Sequence, residues 1–121
     1  MRALSHHRGP RSADSRSPAY AFVPTPSGAP FAIPAKELEA TLAVNAVSVH
    51  AAAHEFIQDH AKSAGTTSTF ILTGNALNDP KLSSAVFPEG YAAFYSLGLG
   101  KSAGAHLIIV GAQRYGSEGA R

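Results

Sequence analysis

One helix–strand–helix slice of an α/β parallel sheet is the architecture this sequence predicts. Three observations carry it. Residues 35–62 place apolar side chains at helical spacing, residues 66–73 (TTSTFILT) are short and β-rich, and a second helical stretch runs from about residue 97 to 115. A buried strand between two covering helices is the repeating unit of a parallel sheet.

Residues 1–18 (MRALSHHRGPRSADSRSP) are rich in Arg, Ser, Gly and Pro and poor in large apolar side chains. Such a segment buries too little surface to offset its ordering entropy, so a disordered tail is expected. Arg and Ser with a single acid also occur in transit peptides, but no amphipathic face supports one here. Residues 19–34 contain Pro24, Pro26, Pro30 and Pro34, and Pro18 stands just before them. Proline breaks ladders and helices alike, so this is a loop, with 19–23 (AYAFV) as a possible short strand.

The stretch 35–62 is the strongest element. Pro34 suits a helix start, and Glu37 and Glu39 lie near the positive end of the dipole. Leu38, Leu42, Ala46, Val49, Ala53 and Phe56 recur at steps of three or four, and Gly65 supplies a stop. The apolar centre of 66–73 reads as a buried strand. A polar turn follows through Gly74, Asn75, Asn78, Asp79 and Pro80, and 81–96 is expected to be irregular or weakly helical. In the last helix Gly98, Gly100, Gly104 and Gly111 each lower intrinsic stability by up to ~1 kcal/mol relative to Ala. So many small residues make sense if another element packs very closely against it. Residues 35–121 are therefore taken as one partial domain, and a chain of 121 residues allows no second one.

Composition narrows the function classes. There is no cysteine, which excludes disulfide frameworks, thiolate metal sites and cysteine nucleophiles. Arg2, Arg8, Arg11 and Arg16 against Asp14 make residues 1–20 basic, while 21–121 carry six cations and seven anions. The net charge of +2 thus belongs to the tail, and the remainder offers no basic face for nucleic acid. No apolar run approaches the roughly 18 residues of a membrane span, and no secretory apolar stretch opens the chain. The expectation is a cytoplasmic protein without membrane or nucleic-acid partners.

Local motifs are weak. LGLGKSAG contains G-K-S, but a phosphate loop needs a glycine where Tyr95 stands and a strand directly before it. His50 and His54 share a helix face at metal-ligand spacing. They lie about 100° from the apolar stripe, so a solvated face is the better reading and no metal is expected. His106 is expected to be partly buried. Tyr91, Phe94 and Tyr95 form an aromatic cluster suited to packing or a lid.

Three segments in order, 42–53 (LAVNAVSVHAAA), 68–75 (STFILTGN) and 101–107 (KSAGAHL), resemble the middle of the short-chain dehydrogenase/reductase family. The wording of 98–108 (GLGKSAGAHLI) resembles an atypical fungal branch of it, and 115–121 (YGSEGAR) looks like the turn into a following strand. The resemblance covers about residues 30–121. It implies a doubly wound, Rossmann-like parallel sheet and NAD- or NADP-dependent oxidation or reduction of an alcohol/carbonyl pair. It also implies roles for individual residues. Asn45 matches the helix asparagine that supports the catalytic lysine through water, although a helix asparagine bonding a nearby carbonyl or bulge explains it equally simply. Lys101 matches the lysine that holds the nicotinamide ribose and lowers the pKa of a tyrosine; the plain alternative is a snorkelling surface lysine. Asn75 falls at the family's serine, though a polar turn after a strand needs no catalytic reason.

The family's tyrosine belongs four residues before Lys101, where this chain has Leu97. Tyr95 is two residues away, about 200° around a helix. The family's T-G-x-x-x-G-x-G cofactor turn does not occur in the sequence. The chain is therefore expected to be a truncated gene model or natural fragment of an NAD(P)-dependent short-chain oxidoreductase, weak or inactive alone. The alternative is a non-catalytic dimerisation module. In the family, the helices matching 35–62 and 92–115 form a subunit interface, so this chain would pair with itself or with an intact homologue.

Overall fold

The structure is a computed structural model and describes residues 29–63, 65–88 and 91–121. The expected tail 1–18 and the possible strand 19–23 lie outside the described residues.

The first helical rod forms where the sequence predicts it. Helix α1 (Ala35–Leu42) starts after Pro34, whose carbonyl accepts from the N–H groups of Glu37 and Leu38 at 3.0 and 3.1 Å. A π-helical turn (Ala43–Val47) joins α1 to α2 (Ser48–Lys62) without a break. The rod stops when Ser63 donates its N–H back to His60 and Gly65 takes φ +79°, a left-handed conformation that glycine adopts without a Cβ penalty. Leu38, Leu42, Ala46, Val49, Ala53 and Phe56 are all buried or half-buried, so the stripe read from spacing is the packed face.

Short helical elements follow the extended segment 66–75. A 3₁₀ turn (Ala76–Asn78) leads into α3 (Pro80–Val86). Asp79 is the reason this helix exists: its carboxylate accepts from the N–H groups of Lys81 and Leu82, and Pro80 fills the first helical position. A further 3₁₀ turn (Tyr91–Phe94) opens α4 (Tyr95–Tyr115), and the turn Gly116–Glu118 closes it.

The fold class differs from the expectation. Among the described residues there is no strand and no sheet, so the α/β, partial Rossmann-like, doubly wound parallel arrangement is not what these residues form. The described chain is all-helical, with α1, the π turn and α2 as one rod lying against α4. The expected strand 66–73 is extended, but among the described residues its pairing is a single parallel bridge between Ser68 and Ala120. The physical cause is pairing. β-propensity describes how side chains fit a pleated surface, and that surface exists only when neighbouring strands supply it. Here residues 119–121 offer three backbone bonds on one side.

The core is thin and made largely of small or polar groups. Ile33, Val49, Leu77 and Ala120 are its buried apolar members, beside Thr41, Asn45, Ser83 and Ser96. Helix α4 contributes Ser96, Gly100 and Gly104, at steps of four, which form one face. The closeness expected of its glycines is real at two of them. An added Cβ on Gly100 would lie 2.3 Å from Asn45 Cβ, and one on Gly104 would lie 2.8 Å from Leu72 Cδ2. Gly98 and Gly111 face open space. The continuous helical stretch Ala92–Glu118 has 27 residues and meets the length and composition of a membrane span. Reading by unbroken apolar runs missed this, because Lys101 and the glycines interrupt every run while the helix averages over them.

Candidate functional site

The residues singled out from the sequence divide into two groups. Asn45 and Lys101 converge. Asn45 lies inside the π turn, 5% exposed, with its Cβ pressed against the Cα of Gly100. The turn is where the rod bulges toward α4, and glycine at position 100 is what lets the two backbones approach. Lys101, the next residue of α4, reaches across to the end of the extended segment, where Nζ donates to the carbonyl of Thr73 at 3.1 Å. The result is a three-element junction of the π turn, the 66–75 segment and α4.

Asn75 and Tyr95 do other things. The Asn75 side chain accepts from the N–H of Leu77 at 2.9 Å, and Asn78 Oδ1 accepts from the Asn75 N–H at 3.3 Å. This reciprocal capping box holds the turn Ala76–Asn78. Gly74 stands beside it, where an added Cβ would press on the Asn78 side-chain amide and force it to shift. Tyr95 starts α4 and sets its ring edge-on against Phe31, with centroids 5.8 Å apart at 88°. Tyr95 and Lys101 are six residues apart, about 120° off a shared face and about 9 Å along the axis. The structure does not bring them together. Leu97, four residues before Lys101, occupies its face instead.

Three hollows flank these elements. An apolar groove of about 290 Å³ lies between α2 and the C-terminal half of α4, with Phe56, Phe70, Leu107 and Tyr115 in its walls. His50 and His54 are exposed on its rim, and no cluster of three or more metal-ligating side chains occurs among the described residues. A second apolar groove of about 330 Å³ is walled by Phe31, Tyr95, Leu77 and Leu99. A more polar hollow of about 460 Å³ borders His60 and Gly119. His106 is exposed rather than packed. At the end of α4 the Arg114 guanidinium is held above its ordinary value by the hydrogen bond and the charge of Glu118.

Sequence reasoning missed several residues that hold the junction together. Ser102 donates to the carbonyls of Leu77 and Asn78, both at 3.3 Å, and so ties the capped turn to α4. Ser83, fully buried, donates to the carbonyls of Ala76 and Asp79 at 2.8 Å. His60 bridges three segments: one ring nitrogen lies 3.1 Å from Ser68 Oγ, the other 3.0 Å from the Glu118 carbonyl. The carbonyl can only accept, so Nε2 carries a proton and donates to it. Of these, only Ser83 had a signal nearby, the Asp-Pro pair at 79 and 80 that opens its helix.

Among curated proteins, the chain is similar to the short chain dehydrogenase/reductase dmxR12 of Cryptosporiopsis sp. (strain 8999). The two are 37% identical over 91 residues, which is 74% of this chain and 33% of that protein. The chain thus spans about a third of the length of the curated relative it matches. No family model matches it, and no solved structure does. The likeness agrees with the resemblance drawn from the sequence and reaches as far as short-chain dehydrogenase/reductase-like ancestry.

A nicotinamide dinucleotide does not fit the described residues. Its pyrophosphate needs backbone N–H groups at a glycine-rich turn opening a helix. Gly98, Gly100 and Gly104 instead lie inside α4, and Gly100 and Gly104 are filled by Asn45 and Leu72. Lys101 could address only the ribose end, and its ammonium already bonds the Thr73 carbonyl.

Proposed function

We propose that this chain is a non-catalytic unit of oxidoreductase ancestry, in which Asn45 and Lys101 serve as a structural junction rather than as cofactor ligands. The observation that carries this reading is the bond from Lys101 Nζ to the Thr73 carbonyl, on a helix face where Leu97 stands four residues before the lysine. Leucine has no proton to transfer. A lysine that neither faces a phenol nor borders an anion cradle is left with what it does here, clamping α4 to the end of the extended segment. On this reading the truncated or atypical character expected from the sequence is a loss of the chemistry with retention of the packing.

The experiment is Lys101→Ala, read by urea unfolding and by NADH- and NADPH-dependent carbonyl reduction. Loss of a partly exposed, charge-assisted hydrogen bond lowers stability by about 1 kcal/mol. Turnover is expected at background in both proteins. A measurable parent activity that falls with Lys101→Ala, at unchanged stability, contradicts the reading.

A second reading, that the two long helices pair with another copy or with an intact homologue, draws support from one observation. The groove between α2 and α4 is apolar, and Val47, Ile109 and Val110 are exposed on the two helices, at 61, 57 and 49%. Val110→Glu is expected to abolish dimers formed through this face and to leave any other association intact.

A further inference from the structure

Among the described residues, the extended segment 66–73 is paired on one side only. Ser68 donates its N–H to Gly119 and accepts from Arg121, and Phe70 donates to Arg121. In a parallel ladder one residue directs both backbone groups to one neighbour, and the next residue directs both to the other side. Thr67, Thr69 and Ile71 therefore point their N–H and C=O groups to the opposite edge. Among the described residues, none of these groups has a hydrogen-bond partner. The side chains alternate in the same way. Ser68, Phe70 and Leu72 are half-buried on His60, Phe56 and Gly104, while Thr67, Thr69 and Ile71 are exposed, Ile71 at 83%.

An open edge normally carries features that block further pairing: charge, proline or a bulge. Between Thr66 and Leu72 this one carries none, and only the last carbonyl, that of Thr73, is covered, by the Lys101 ammonium. From Thr66 through Asn78 there is no charged residue and no proline, and 66–73 is a run of β-branched, aromatic and aliphatic side chains interleaved with one serine. We propose that this edge is a strand-acceptor surface whose occupant is the same segment of a second copy, paired antiparallel about a two-fold axis. Three arguments select that occupant. A strand added to this edge must be uncharged and β-rich, and among the described residues 66–73 is the segment that qualifies. Over 66–72 a neutral edge meets a neutral edge without repulsion. A two-fold makes the contact isologous, so each copy satisfies the other's Thr69 and Ile71 groups and the assembly closes at two. This surface is distinct from the helix pair of the second reading above, since it uses neither α2 nor α4.

The test is sedimentation velocity of the full chain over a concentration series, alongside hydrogen exchange of the Thr69 and Ile71 amides. Concentration-dependent dimers in which both amides gain protection are expected. Two variants aim at the edge. Ile71→Lys puts a charge on the exposed face. Thr69→Pro removes an N–H that the bonds to 119–121 do not use. Each is expected to weaken dimerisation at least tenfold with the helical circular dichroism unchanged, whereas Val110→Glu leaves it intact. Ile71→Lys guards against a folding defect in the proline variant, because the side chain it replaces is already in solvent. A monomer with protected Thr69 and Ile71 amides would overturn the proposal by placing an intramolecular partner, such as 19–23, on the edge. A chain that stays monomeric with those amides unprotected overturns it too, as does a dimer indifferent to both edge variants.

Discussion

At position 100 a single hydrogen atom decides how closely two helices approach. Gly100 lies under Asn45, and a methyl group there would sit 2.3 Å from Asn45 Cβ, well inside contact distance. Both atoms are attached to backbone, so relief requires moving one helix. Gly100→Ala is expected to destabilise by about 1–3 kcal/mol, the range of overpacked cores. Gly98 is two residues away on the same helix with nothing within 4 Å of its missing Cβ. Gly98→Ala is expected to stabilise by about 0.5–1 kcal/mol, since alanine loses less entropy in a helix. Chemical denaturation of the two variants checks this, and equal effects would contradict the packing described. The sequence announced that some glycine of α4 had a close neighbour. It could not say which, because all four look alike until the partner helix supplies a direction.

Elements with local signals were legible, and those that depend on partners were not. The rod 35–62 was readable from its apolar period and its proline and glycine ends, because each signal lies inside the element. Helix α3 carries its signal in Asp79 and Pro80, and the expectation of an irregular or weakly helical 81–96 meets a short, well-capped helix there. Asp79→Ala is expected to cost about 1 kcal/mol through the two N–H groups it leaves uncapped. Loss of α3 amide protection, with α1 and α2 unaffected, is the measurement. The π turn carries no sequence signal beyond an asparagine on an apolar stripe. The face shared by positions 97 and 101 supports a direct test of α4 as a helix. In Leu97→Tyr the new phenol stands one turn before the Lys101 ammonium, which favours the phenolate. Its ultraviolet titration is expected to fall below the ordinary tyrosine range. An unshifted titration would mean the two positions do not share a face.

For the whole molecule, the sequence carries a likeness to a short-chain dehydrogenase/reductase more clearly than it carries an architecture. The segments around Asn45, Thr73 and Lys101 carry the family's order, and the structure brings these three together at one junction. The sheet expected around them is not formed by the described residues, because one β-rich segment with a three-residue neighbour has too few ladder bonds to make a strand. The same deficit bears on function. A dinucleotide is held mainly by the glycine-rich turn that follows a first strand, and α4 buries its glycines under Asn45 and Leu72 instead. On the proposed reading, packing has outlived cofactor binding here. Titration of NADH and NADPH into the 121-residue chain, followed by nicotinamide fluorescence, tests it most directly. A linear, unsaturable signal for both dinucleotides is the predicted result. Saturable uptake of either one, abolished by Lys101→Ala, would contradict the account.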